Sequence, residues 1–170
     1  AVDGSAWRMT LPSPVSHHQG PVLTAAFSPD GLQLLTTGED NTVRVWDAAT
    51  LEPLKMLVGH TDTVNAAAFN LNGKQIVSAS QDGTMRVWNA VTGEQLRTID
   101  AHVGGVNSAA FSPDGTLIVS AGRDNVVRLW DAVTGEQLHT LEGHTAAVNA
   151  AAFSPDGAKI VSASWDNTVR

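Results

Sequence analysis

Residues 60–86 read HTDTVNAAAFNLNGKQIVSASQDGTMR and residues 144–170 read HTAAVNAAAFSPDGAKIVSASWDNTVR; the two stretches agree at 17 of 27 positions. The pattern also recurs between them and before them. His18, His60, His102 and His144 follow one another at steps of 42 residues, as do Phe27, Phe69, Phe111 and Phe153, and Asp40, Asp82, Asp124 and Asp166. Trp46, Trp88 and Trp130 keep the same step. No insertion or deletion breaks the register from His18 to Arg170, so duplication of one unit accounts for the chain, through recent amplification or design.

Alternation and turn chemistry give the strands within a unit. Val148–Phe153 is small and apolar, as a strand near a crowded central axis must be. Ser154-Pro155-Asp156-Gly157 then presets φ at proline and supplies a positive φ at glycine, the chemistry of a tight hairpin turn. Residues 28–31 and 112–115 repeat it, and Asn70-Leu71-Asn72-Gly73 is a variant. A second strand over residues 159–164, a third over 84–88 and an outer one over 95–99 or 137–141 complete an antiparallel four-stranded meander. The expected fold is therefore all-β. Its division is 1–17 as an outer strand and connector, then repeats 18–59, 60–101, 102–143 and 144–170, the last truncated, in one unit of residues 1–170.

Ten basic residues against 17 acidic give a net charge of −7, which excludes the electrostatic footprint of a nucleic-acid or anionic-membrane binder. No apolar run approaches a membrane span, and the absence of cysteine fits a reducing compartment, so a cytoplasmic chain is expected. No phosphate loop, Cys/His metal spacing or dinucleotide fingerprint is present, so no cofactor, metal or enzymatic activity is expected.

The motifs Gly59-His60 and Gly143-His144, the Ser-Pro-Asp-Gly turn, Ser-Ala-Ser-x-Asp, and the closing Trp46-Asp47 and Trp130-Asp131 resemble those of the WD-repeat family, with Trp88-Asn89 a conservative departure. The resemblance covers residues 18–170. It implies blades of a β-propeller and, in each blade, a hydrogen-bonded chain of four side chains. These are His18, Thr36, Asp40 and Trp46; His60, Ser78, Asp82 and Trp88; His102, Ser120, Asp124 and Trp130; and, without a tryptophan, His144, Ser162 and Asp166. A Ser-His-Asp set also invites a hydrolase reading. Its recurrence in all four units points instead to a structural role.

The family binds partners on the face built by the loops entering the inner strand and the turn before the Asp. Carried over, this gives Glu39, Gln81, Arg123 and Trp165, four unlike residues in a monotonous sequence, together with Leu23, Asn65, Asn107 and Asn149. The implied function is a non-catalytic interaction scaffold for a protein or peptide. The alternatives are a newly amplified or engineered propeller without a partner, and half of a longer regulatory protein. Four blades would each have to turn by about 90° to close, whereas members of the family usually close with about seven blades and sometimes with about six or eight. A homodimer with eight blades is therefore expected, in which a strand containing Trp7, Met9 and Leu11 pairs with the open edge Thr168, Val169 and Arg170 of the other copy.

Overall fold

The turns of the repeat dictate strand order. In the computed structural model, which describes residues 18–170, β1 (Val22–Phe27), β2 (Gln33–Gly38), β3 (Thr42–Asp47) and β4 (Pro53–Val58) form one antiparallel sheet in sequence order. A second comprises β5 (Val64–Phe69), β6 (Gln75–Ser80), β7 (Thr84–Asn89) and β8 (Gln95–Asp100). The third comprises β9 (Val106–Phe111), β10 (Leu117–Gly122), β11 (Val127–Asp131) and β12 (Gln137–Leu141). Last come β13 (Val148–Phe153) and β14 (Ile160–Ser164), with one bridge from Ala163 to Val169. No helix occurs among the described residues, hence none long and apolar enough to cross a membrane. These sheets are consistent with propeller blades. The expected strand around Trp7, Met9 and Leu11 lies outside the described residues.

Glycine meets its conformational requirement in the first hairpin turn, where Gly31, Gly73, Gly115 and Gly157 have φ of 73°, 69°, 74° and 72°. In the turn from third to fourth strand, Gly93 and Gly135 hold φ near 79°, but the first blade places Leu51 there at 59°. A left-handed conformation costs a side chain about 1–2 kcal/mol, so this turn is the strained copy.

Strand alternation gives each blade two apolar faces, and the core lies between consecutive blades. From the first blade Leu35, Val43, Val45 and Leu57 pack on Val64, Ala67, Ile76 and Trp88 of the second. The opposite face of the second, Val77, Ala79, Met85 and Val87, packs on Phe111, Ile118 and Trp130 of the third. Val119, Ala121 and Val127 then meet Val148 and Ala151 of the fourth. Burying each Val, Ile or Met is worth roughly 1.5–3 kcal/mol, so the interfaces and not the isolated sheets carry the stability.

A β-bulge interrupts every inner strand at the same place, between Val22 and Thr24, Val64 and Ala66, Val106 and Ser108, and Val148 and Ala150. The extra residue leaves the ladder and is re-aimed. In the second and third blades it is Asn65 and Asn107, whose Nδ2 donate to the carbonyls of Val106 and Val148 at 2.8 and 2.9 Å. Each amide thereby joins its blade to the next.

Candidate functional site

Alternation along the second strand sends one hydroxyl between two rings. Ser78, on β6, is fully buried; its Oγ accepts the Trp88 indole N–H at 2.9 Å and lies 2.7 Å from His60 Nε2. His60 Nδ1 sits 2.8 Å from Asp82 Oδ2. Because the carboxylate only accepts, Nδ1 carries the proton, Nε2 accepts from Ser78, and the hydroxyl accepts from the indole. A single donor direction therefore runs from Trp88 through Ser78 and His60 to Asp82.

The first blade repeats this with Trp46 Nε1 to Thr36 Oγ1 at 2.8 Å, Thr36 to His18 Nε2 at 2.8 Å and His18 Nδ1 to Asp40 at 2.8 Å. The third has Trp130 to Ser120 at 2.8 Å, Ser120 to His102 at 2.7 Å and His102 to Asp124 at 2.7 Å. In the fourth, His144 bonds Asp166 at 2.7 Å and Ser162 at 2.8 Å. Protons point as in a catalytic triad, but Ser78 and Ser120 are wholly buried and each oxygen is capped by an indole N–H, so no substrate carbonyl reaches it.

The Asp also ties down the loop end. Its carboxylate accepts the backbone N–H of Gln19, Thr61 or Thr145, the residue after each His, at 3.0 to 3.1 Å. It also accepts the hydroxyl of Thr42, Thr84 or Thr168. In the third blade Val126 replaces that threonine, so Asp124 lacks the hydroxyl donor and keeps the arginine bond, Arg128 Nη1 to Oδ2 at 2.6 Å, that the first blade also makes from Arg44 to Asp40 at 3.1 Å. The Asp124 side chain is 17% exposed, against 5–6% for Asp40, Asp82 and Asp166. The loss of the hydroxyl is visible in the sequence as Val126.

Burial opposes ionisation of Asp82, but the Thr84 hydroxyl, the His60 imidazole and two backbone N–H groups outweigh it and bring the carboxyl down to about 2. Asp40 is held well below the usual range against burial by His18, the Gln19 N–H and Thr42. Burial pushes the imidazoles of His60 and His102 down, more than their hydrogen bonds to Asp82 and Asp124 raise them.

Glu39, Gln81, Arg123 and Trp165 occupy one backbone frame: their N–H groups donate to the carbonyls of Pro21, Thr63, Gly105 and Ala147 at 3.0, 2.9, 3.1 and 3.0 Å. Glu39, Arg123 and Trp165 are exposed and Gln81 is half-buried; Trp165 reaches 72%. Leu23 and Asn149 are exposed, whereas Asn65 and Asn107 are half-buried with their amide nitrogens engaged by the next blade. Those two nitrogens are not free for a partner. Thr168, Val169 and Arg170 lie along β14, with Arg170 and Ser162 exchanging backbone bonds of 3.0 and 2.8 Å.

Among the described residues no group of three His, Asp or Glu side chains converges to hold a metal ion. A family model described as WD domain, G-beta repeat matches residues 10–47, 51–89, 93–131 and 135–170. No curated protein matches the chain.

Removing the shared hydroxyl leaves a buried imidazole nitrogen and a buried indole N–H unpaired at once. Ser78→Ala is expected to cost about 2–4 kcal/mol in urea denaturation, since each orphaned group costs roughly 1–3 kcal/mol; a loss no larger than that of an exposed Ser-to-Ala change would refute the shared role.

Acid acts in two stages. His60 and His102 titrate near 6.5 when unfolded and lower when folded, so their contribution is complete above about pH 6.5 and lost as the pH falls toward their folded values. The carboxylates contribute above roughly pH 3.9 and lose it below, Asp82 on the way to about 2. Thermal melts should show Tm falling as the pH drops below about 6.5 and again below about 4. A flat Tm over the upper interval would contradict the histidine assignment.

Proposed function

The chain belongs to the WD domain, G-beta repeat family, whose repeats generally mediate protein–protein interaction, and on that premise we propose that it is a non-catalytic scaffold presenting one loop end to a protein or peptide. The carrying observation is the shared frame of Glu39, Gln81, Arg123 and Trp165: one backbone bond, repeated four times, displays an acid, an amide, a guanidinium and an indole. Constant geometry with divergent side chains is what selective recognition of an asymmetric partner requires. Trp165 is the anchor of this surface, as a large exposed ring that a partner can bury. The buried, indole-capped hydroxyls support a structural role for the Ser-His-Asp sets. The excess of acidic residues favours a protein partner over a nucleic acid.

Residues 1–170 act in this reading as one propeller unit whose repeats are 18–59, 60–101, 102–143 and 144–170, and two copies join into an eight-bladed ring. Support comes from the interblade amides. Asn149 stands at the bulge position of Asn65 and Asn107, and Val22 at the position whose carbonyl receives such an amide. Both are exposed, so blade four of one copy and blade one of another offer matching halves of the same joint. Gly105 lies beside Gln81 of the preceding blade, with 3.3 Å from its Cβ position to the Gln81 Cα. The equivalent neighbours across the joint are Pro21 and Trp165. Exchange of the strand bearing Trp7, Met9 and Leu11 onto Thr168, Val169 and Arg170 would complete the last sheet.

Pull-down from a native lysate should recover a partner with the wild-type chain and lose it with Trp165→Ala; undiminished capture by the variant would remove Trp165 from the binding surface. Light scattering during gel filtration should give twice 17.8 kDa, and Asn149→Ala should shift the population toward monomer. A stable folded monomer of the wild type would end the dimer reading, leaving the loop-end proposal to stand on the pull-down.

A further inference from the structure

The end of the blades opposite the Glu39–Trp165 loops carries a cavity of about 500 Å3. Phe27, Phe69, Phe111 and Phe153, the last residues of the four inner strands, converge on it with Pro113 and Pro155 of the following turns. Phe27 is 66% and Leu71, at its edge, 68% exposed. Beside it, between the turns at 70–73 and 112–115, a smaller cleft of about 180 Å3 is lined by Leu71, Pro113 and Asp114. Cavities of this size take up a bulky side chain with its neighbours.

The charge at this end of the blades is predominantly negative. The turns joining first to second strands hold Asp30, Asp114 and Asp156 beside Lys74 and Lys159, and the ends of the third strands with the turns after them add Asp47, Asp131, Glu52, Glu94 and Glu136, eight carboxylates against two lysines. Arg97 also approaches from β8, donating to the Ala132 carbonyl at 3.3 Å. At the other end of the blades, the carboxylates of Asp40, Asp82, Asp124 and Asp166 are engaged by imidazole donors, with hydroxyl or guanidinium donors beside them. Here Asp30, Asp114 and Asp156 hydrogen-bond only through Oδ1, to the hydroxyls of Ser28, Ser112 and Ser154 and the N–H groups of Leu32, Thr116 and Ala158. Among the described residues their second oxygens carry no hydrogen bond. Those donors hold all three carboxyls below the usual range, so they stay ionised at neutral pH.

We propose that this end is a second docking surface, for a basic peptide segment that inserts a bulky apolar side chain among the four phenylalanines while flanking Lys or Arg residues meet the turn carboxylates. Charge complementarity selects that occupant, since an anionic lipid surface would be repelled. The surface lies apart from the Trp165 loops.

Fluorescence anisotropy tests it with a labelled peptide Lys-Arg-Trp-Leu-Arg-Lys and a control carrying Ser-Ser in place of Trp-Leu. The first peptide should bind the full chain at least about tenfold more tightly than the control, which is about 1.4 kcal/mol. Asp30→Asn, Asp114→Asn and Asp156→Asn together keep the Oδ1 acceptors of the turns. This triple variant should weaken binding about tenfold and remove most of its salt dependence. Leu71→Lys, a single exposed change, should weaken it comparably, and Trp165→Ala should leave it unchanged. Equal binding of both peptides, or wild-type affinity in both the triple variant and Leu71→Lys, overturns the proposal. So does a change of oligomeric state in Leu71→Lys, which would make the cavity a contact between copies, or equal association with anionic vesicles, which would make it a lipid surface.

Discussion

One buried hydroxyl serving two rings holds each blade to its loops. Ser78 Oγ gives its proton to an imidazole and receives one from an indole, and in doing so fixes the His60 tautomer, the Trp88 rotamer and, through His60, the Asp82 carboxylate. Remove any member and the others are left as polar atoms with no water to replace them. The loop entering the blade is fastened because Asp82 also accepts the Thr61 N–H and the Thr84 hydroxyl. Local propensity alone would leave that loop free; the charge-assisted bonds at its base make it a fixed platform.

The same indoles also build the interblade core. Trp88 donates its indole N–H to Ser78 while its ring packs among the apolar side chains of the first blade, so the polar chain and the hydrophobic interface are two uses of one ring. The third blade shows how far the arrangement bends. With Val126 in place of threonine, Asp124 loses a hydroxyl donor, keeps the arginine bond that Asp40 also makes, and is more exposed.

Strand order was legible because periodicity and turn chemistry are local: Ser-Pro-Asp-Gly fixes a hairpin wherever it stands. Residues 84–88 and 95–99 were read one residue shorter than β7 and β8, which end at Asn89 and Asp100 where ladder bonds persist into the turn. The four-stranded expectation is met in three sheets, while the fourth has two strands and the bridge at Val169. The bulge at Asn65 and Asn107 was not legible, because an extra residue in a ladder shows only against its paired strand. Nor was the destination of their amides, a carbonyl 41 residues further on. The apolar cavity escaped for a related reason: each phenylalanine reads as ordinary core, and only convergence of four strand ends gathers them.

The asparagine joint has a direction. The Asn65 and Asn107 amides reach forward to the next blade, and Trp88 and Trp130 press back on the previous one, so the two faces of such a blade are unlike. A module with unlike faces assembles like a monomer in a chain-growth polymer: any copy fits behind any other, and no copy fits face to face with itself. Such a unit can be multiplied by gene duplication without redesigning its contacts. Copy number is then free to drift until the accumulated rotation brings the final forward face onto the first rear one.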